Sequence, residues 1–209
     1  MIKEYPSTYQ LKDFTKLQKQ PDEFTCGPSC ASMVLSFYGT DKSCEELQPF
    51  VLSKTIIAGN KIGFSLPKSV SKGLSHFGVK NKVLRGNISE LKYSISNNKP
   101  VITLLRSATD LWHYVVVIGY TQNDICIADP HDGMKQWILL ENFENSWAFK
   151  KDMDGEPVGT LCWLCKGYKY FLYFPCDMCF GTGYIDTYRT AIRSAGIYSN
   201  TMIVPLYSK

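Results

Sequence analysis

The chain has 209 residues, 44% of them hydrophobic, which is enough for one substantial core. Its 23 basic and 19 acidic residues are dispersed without a block of like charge, so a nucleic-acid tail and a polybasic membrane anchor are excluded. The opening MIKEYPSTYQLKDF carries charge where a signal peptide needs its apolar stretch, and no segment approaches the roughly 18 apolar residues of a membrane span. The expectation is a globular protein without nucleic-acid partner or membrane span, cytoplasmic or secreted by a signal-independent route.

In chain order, the first periodic segment follows Cys26: Cys30, Ala31, Val34, Phe37 and Tyr38 fall at helical spacing, and Gly39 is placed to end that helix. Ser43 with Glu46 forms a capping box ahead of Leu47, Phe50 and Val51, which predicts a second short helix. A third runs from Pro67 to Gly78, and a fourth from an Asn87 cap with Glu90 to Asn98 and Pro100. From Pro100 the period changes to that of strands at 101–105, 113–120, 124–129 and 135–140, with a tight turn at 122–124. ENFENSW, 141–147, returns to helical spacing, 155–185 is rich in Cys, Gly and aromatics, and 200–207 reads as a last strand. Helices first and antiparallel strands afterwards predict an α+β domain of two packed halves with a cleft between them.

Cys26 stands at the start of the first helix. Unpaired N–H groups and the partial positive charge there favour a thiolate, so the position suits a nucleophile. A lone cysteine is more often a small buried residue, but cysteine catalysis also needs a base, an orienter and an oxyanion donor, and each has a candidate. His113 is one of three histidines and opens the most hydrophobic strand. Asp129 ends the next strand, and a short hairpin brings 113 and 129 to the same sheet end. Gln20, six residues before Cys26, can supply an amide to an oxyanion. The alternatives are His131 for the base, on a less rigid loop position, and Gln18 for the amide. Asp129 before Pro130 is also a common turn opener. Cys30, Cys44 and Cys126 read as core, His76 as a helix-end residue, and Trp112 as a wall of the cleft.

Gln-x5-Cys-Gly, CGPSCASMVLSFYG, HYVVVIGY and IADPHDG, followed by ENFENSW, together resemble the papain-like double-glycine leader peptidases that trim bacteriocin and other peptide precursors. The likeness covers roughly residues 15 to 150. It implies a papain-like fold, a peptide or protein substrate, Cys26 as nucleophile, His113 as general base, Asp129 as its orienter and Gln20 as oxyanion donor. Many members front an ABC exporter, whereas this chain shows neither membrane span nor Walker sequence, so the resemblance is to a free-standing relative. The same fold hosts thiol acyltransferases and glutamine deamidases, and some relatives lacking the cysteine only bind peptides.

Two C-x-x-C pairs, CWLC at 162–165 and CDMC at 176–179, remain. Four thiolates in two chelating turns suit tetrahedral Zn²⁺, which makes Cys162, Cys165, Cys176 and Cys179 candidate ligands of a closed, structural zinc. CDMCFGTG also resembles one repeat of the cysteine-rich region of DnaJ-type chaperones. A redox pair or two disulfides are the alternatives. The expected organisation is a peptidase domain at 1–154 and 186–209, interrupted by a zinc-ribbon-like insertion at 155–185.

Overall fold

The computed structural model describes residues 4–57, 60–106, 112–148, 160–161, 168, 170–171, 174–175, 184–185 and 199–209. Strand β1, Tyr9–Gln10, precedes helices α1, Cys26–Phe37, and α2, Cys44–Val51. A hairpin follows, β2 at Ser53–Ile57 and β3 at Asn60–Phe64, and then α3, Pro67–His76, and β4, Asn81–Arg85. Helix α4, Ile88–Ser96, leads into β5, Val101–Arg106, β6, Trp112–Tyr120, β7, Asp124–Asp129, and β8, Met134–Leu139. Helix α5, Leu140–Trp147, comes next, followed by the short strands β9, Thr160–Leu161, β10, Tyr170–Phe171, β11, Phe174–Pro175, and β12, Tyr184–Ile185. Strand β13, Thr201–Pro205, closes the order.

The main sheet runs β4-β13-β5-β6-β7-β8, every pair antiparallel, and β1 pairs with β6 at Gly119 and Tyr120. The division into a helical first half and a stranded second half therefore needs correcting. The first half contributes β1, β4 and a separate hairpin. NKVLR has only two apolar residues, Val83 and Leu84, side by side rather than in alternation, and none of its residues is buried, so it carries too weak a period to be read as a strand; pairing with β13 supplies what the pattern lacks.

Local chemistry explains the helix ends. Ser43 and Glu46 form their reciprocal capping box, as do Asn87 and Glu90, and Pro67 occupies the first turn of α3. Gly39 and Gly78 take φ of +84° and +93°, the left-handed geometry that ends α1 and α3. Helix α1 differs from the amphipathic segment expected: all of its residues but Ser36 are buried. Its small polar side chains make this tolerable, Ser32 Oγ donating to the Lys42 carbonyl at 2.5 Å and Ser29 Oγ to Cys44 Sγ at 3.4 Å. A fully enclosed helix is a rigid mount for whatever stands at its first residue.

Helix α5 is locked to the sheet by Ser146 Oγ, which accepts from Arg106 N and donates to Arg106 O, and by Trp147 Nε1, which donates to Thr201 O at 2.9 Å. Asn200 N also donates to Trp147 O at 2.9 Å, so the chain at 147 and the chain at 200 lie side by side.

Candidate active site

Cys26 is the first residue of α1 and is 7% exposed. The turn before it is held within itself: Thr25 Oγ1 donates to Asp22 O at 3.0 Å, Asp22 N donates to Thr25 Oγ1 at 3.2 Å, and Phe24 N donates to Asp22 Oδ1 at 2.9 Å. Thr25 is thus occupied elsewhere, and no side chain caps the N-terminus of α1. The positive end of the helix is left to act on the Cys26 sulfur.

His113 lies near the start of β6, opposite Leu105. Its Nε2 meets Asp129 Oδ1 at 2.6 Å, which leaves Nδ1 as the nitrogen available to a thiol. Burial pushes the His113 pKa down, but hydrogen bonds to Asp129 and to Cys26 outweigh it and raise the group to about 10. Asp129 ends β7 at 6% exposure, and its Oδ1 also accepts the His131 N–H at 2.8 Å. Burial raises its pKa, yet the bond to His113 and the imidazolium charge pull it below the usual carboxylate value. His113 and Asp129 are thus hydrogen-bonded to each other, and the Cys26 thiol at the helix start lies near enough to the imidazole to help raise its pKa.

Gln20 is tied to this chain through its backbone, its N–H donating to Pro130 O at 2.7 Å. Gly133, at φ +74°, lets the Asp129 turn approach the preceding residue, since a Cβ there would lie 3.1 Å from Lys19 N. The Gln20 side chain is not yet an oxyanion donor: Nε2 donates to Asp22 O at 2.8 Å, and Oε1 is buried without a hydrogen-bond partner. A half-turn of the amide presents NH₂ to the buried side instead. Gln18 turns away, its Nε2 donating to Lys19 O.

The alternative base, His131, is exposed, with its ring perpendicular to that of His113 at a centroid distance of 6.4 Å. It reaches Asp129 through its backbone N–H. Cys30, Cys44 and Cys126 are buried with free thiols whose pKa values burial raises, Cys126 to about 11. They are poorly ionised, as core thiols should be. His76 stacks on Phe50 at 4.2 Å, and Trp112 is half-buried against the core.

One neighbour of Cys26 escaped the sequence reading. Ser65, at the β3–α3 junction, packs so closely on Gly27 that a Cβ there would lie 2.7 Å from Ser65 Cβ and Oγ. The Ser65 carbonyl accepts from Tyr114 Oη at 3.0 Å, beside His113 in sequence. The only signal was a glycine directly after the cysteine.

Cys162, Cys165, Cys176 and Cys179 lie outside the described residues. Among the described residues no group of three or more His, Cys, Asp or Glu could hold a metal ion.

A buried thiol at a helix start, near an imidazole that a carboxylate holds, is the equipment of a cysteine hydrolase. The chain belongs to the Peptidase_C39 like family, whose model matches residues 3–152, and it is a cysteine peptidase of that family. It is 29% identical over 141 residues to a lactococcin transport/processing ATP-binding protein, LcnC-like, of Lactococcus lactis, covering 67% of this chain and 18% of that protein. It is 30% identical over 130 residues to the pediocin PA-1 transport/processing ATP-binding protein PedD of Pediococcus acidilactici, covering 62% and 17%. The chain therefore spans less than a fifth of the curated relatives it matches. The fold is shared with a putative C39-like peptidase from Bacillus anthracis at TM-score 0.58 and 19% identity, covering 68% of this chain and 92% of that one. A double glycine motif protease from an AMS/PCAT transporter, solved with a leader peptide, matches at TM-score 0.51 and 23% identity, covering 66% and 86%. Among the described residues, no helix is long and apolar enough to cross a membrane.

Proposed function

We propose that this chain hydrolyses a peptide or isopeptide bond in a peptide or protein substrate through Cys26, His113 and Asp129. The observation that carries the reading is the His113–Asp129 hydrogen bond, with the helix-start thiol of Cys26 near enough to help raise the pKa of the imidazole. The Cys26 thiolate attacks the scissile carbonyl carbon, and the resulting oxyanion is met by backbone N–H at the uncapped start of α1 and by the Gln20 amide after its half-turn. The His113 imidazolium gives its proton to the leaving amine, the thioester forms, and neutral His113 then takes a proton from the water that releases the acid. Asp129 holds the imidazole with Nδ1 toward the sulfur throughout. A leader-bearing precursor is the favoured substrate, because the solved relative named above holds a leader peptide. An acyltransferase or deamidase would use the same groups and differ in the amine or acyl group admitted.

The test is labelling by iodoacetamide. Modification is expected at Cys26 ahead of Cys30, Cys44 and Cys126, and a cleavable peptide should protect it. Equal labelling of all four, or labelling indifferent to every peptide, would contradict the reading.

We also propose that Cys162, Cys165, Cys176 and Cys179 hold one structural Zn²⁺ in an insertion at 155–185. Support comes from the pairing around them: Leu161, next to Cys162, pairs with Tyr184, and inside that pair Phe171 and Pro175, next to Cys176, belong to a second antiparallel pair. The contact of Asn200 with Trp147 suits a segment that leaves and rejoins the main body at one place. Zinc would be coordinated by four thiolates and would stabilise the segment without entering the reaction. Purified protein should contain about one zinc per chain. Cys162→Ser or Cys176→Ser should lower zinc content and thermal stability together, with iodoacetamide labelling of Cys26 retained. Metal-free, reduced protein on elemental analysis would refute the site. Free thiols and thiolate ligands both suit a reducing compartment, in line with a cytoplasmic location.

A further inference from the structure

We propose that the Ser65 hydroxyl is a substrate-binding group, reserved for the backbone of the peptide bound at Cys26; this rests on Cys26 being the nucleophile. Ser65 is 8% exposed, and its Oγ is buried without a hydrogen-bond partner. Among the described residues the other such side-chain atoms are Gln20 Oε1, Asn81 Oδ1 and Thr103 Oγ1. Asn81 offsets its loss with bonds from its nitrogen to Ser71 O, Ser75 Oγ and Val79 O, and Thr103 lies on the fully buried strand β5. Gln20 and Ser65 remain: Gln20 lies in the segment that leads into α1, and Ser65 packs on Gly27 in its first turn.

A hydroxyl buried unpaired costs stability, and for packing alone alanine would serve better. Two features hold Ser65 where it is. Gly27 lacks the side chain that would displace it, and Tyr114 Oη fixes its carbonyl at 3.0 Å. The junction also borders solvent, since its neighbours Phe64 and Leu66 are 44% and 36% exposed. An extended peptide with its scissile carbonyl at Cys26 Sγ crosses the start of α1, and its amides lose water as they enter. A hydroxyl both donates and accepts, and rotation about one Cα–Cβ bond turns it from Gly27 to the bound chain.

The experiment compares wild type with Ser65→Ala on a library of long peptides read by mass spectrometry, on p-nitrophenyl acetate, and in iodoacetamide labelling. For cleaved peptides, kcat/KM should fall about tenfold, mostly through KM, as for one lost hydrogen bond. Acetate turnover and Cys26 labelling should be unchanged, because neither reagent has a peptide backbone. The thermal midpoint should equal or exceed that of wild type. Peptide kinetics equal to wild type would overturn this assignment alone. Loss of acetate turnover or labelling in step with the peptide would overturn it in favour of an effect on the thiol, and a lower midpoint or a failure to fold in favour of a structural hydroxyl. A wild-type protein that turns over acetate but no peptide would overturn the peptidase reading, and this assignment with it.

Discussion

Cys26→Ala is expected to reduce peptide hydrolysis to background while the thermal midpoint stays close to that of wild type. Removing the nucleophile of a catalytic unit of this kind costs on the order of 10⁶ in rate, because no neighbouring group replaces it. Cys30, the next cysteine along α1, is fully enclosed, and burial keeps its thiol protonated. The cost to stability is small, since alanine loses one sulfur atom from the edge of the core and fits the first turn of a helix, an effect of about 1 kcal/mol. Cys30→Ala should give the reverse pattern, with the chemistry intact and the midpoint lowered, because it opens a void at a site with 0% exposure. Measuring peptide turnover and thermal unfolding on both variants separates the roles. Full turnover by Cys26→Ala would remove the thiol from the mechanism.

What could be read from the sequence was the part encoded locally. Capping boxes at Ser43 and Asn87, glycines after α1 and α3, and the short apolar runs from 101 onward are short-range signals, and the structure uses each of them. Two features depended on distant partners. Strand β4 exists because β13, more than a hundred residues later, pairs along its whole length. The burial of α1 on nearly all sides could not be inferred from its own spacing, because Ser29 and Ser32 read as polar until Cys44 and Lys42 are placed beside them. At the site, Cys26, His113 and Asp129 were candidates by residue type and element position, and their contact is a property of the hairpin and of the helix start together. Gln20 was placed by spacing, but spacing carries no information on the orientation of an amide. Ser65 had no local signal beyond the glycine at 27, since its meaning lies in a missing bond.

The other large effect concerns His113 and its dependence on pH. His113→Ala should lower kcat/KM on peptide by about 10²–10⁴, as expected for loss of a general acid–base group, with iodoacetamide labelling of Cys26 slowed alongside. In wild type the imidazolium persists until pH approaches about 10, so the alkaline limb of the activity profile should fall there, where the proton needed by the leaving amine is lost. The same shift acts on folding. Because the folded-state pKa is raised above the ordinary value near 6.5, protonation of His113 contributes stability that is complete below that value and disappears as pH rises through about 10. The difference in thermal midpoint between wild type and His113→Ala should therefore narrow from pH 6 towards pH 10. Asp129 works in the opposite sense: its pKa is depressed, so its contribution is present above the ordinary carboxylate value and is lost as pH falls through the lowered one. His131→Ala, which leaves the backbone bond to Asp129 in place, should change neither profile by much. A larger loss of peptide turnover in His131→Ala than in His113→Ala would mean that the exposed ring, and not the one bonded to Asp129, serves the sulfur.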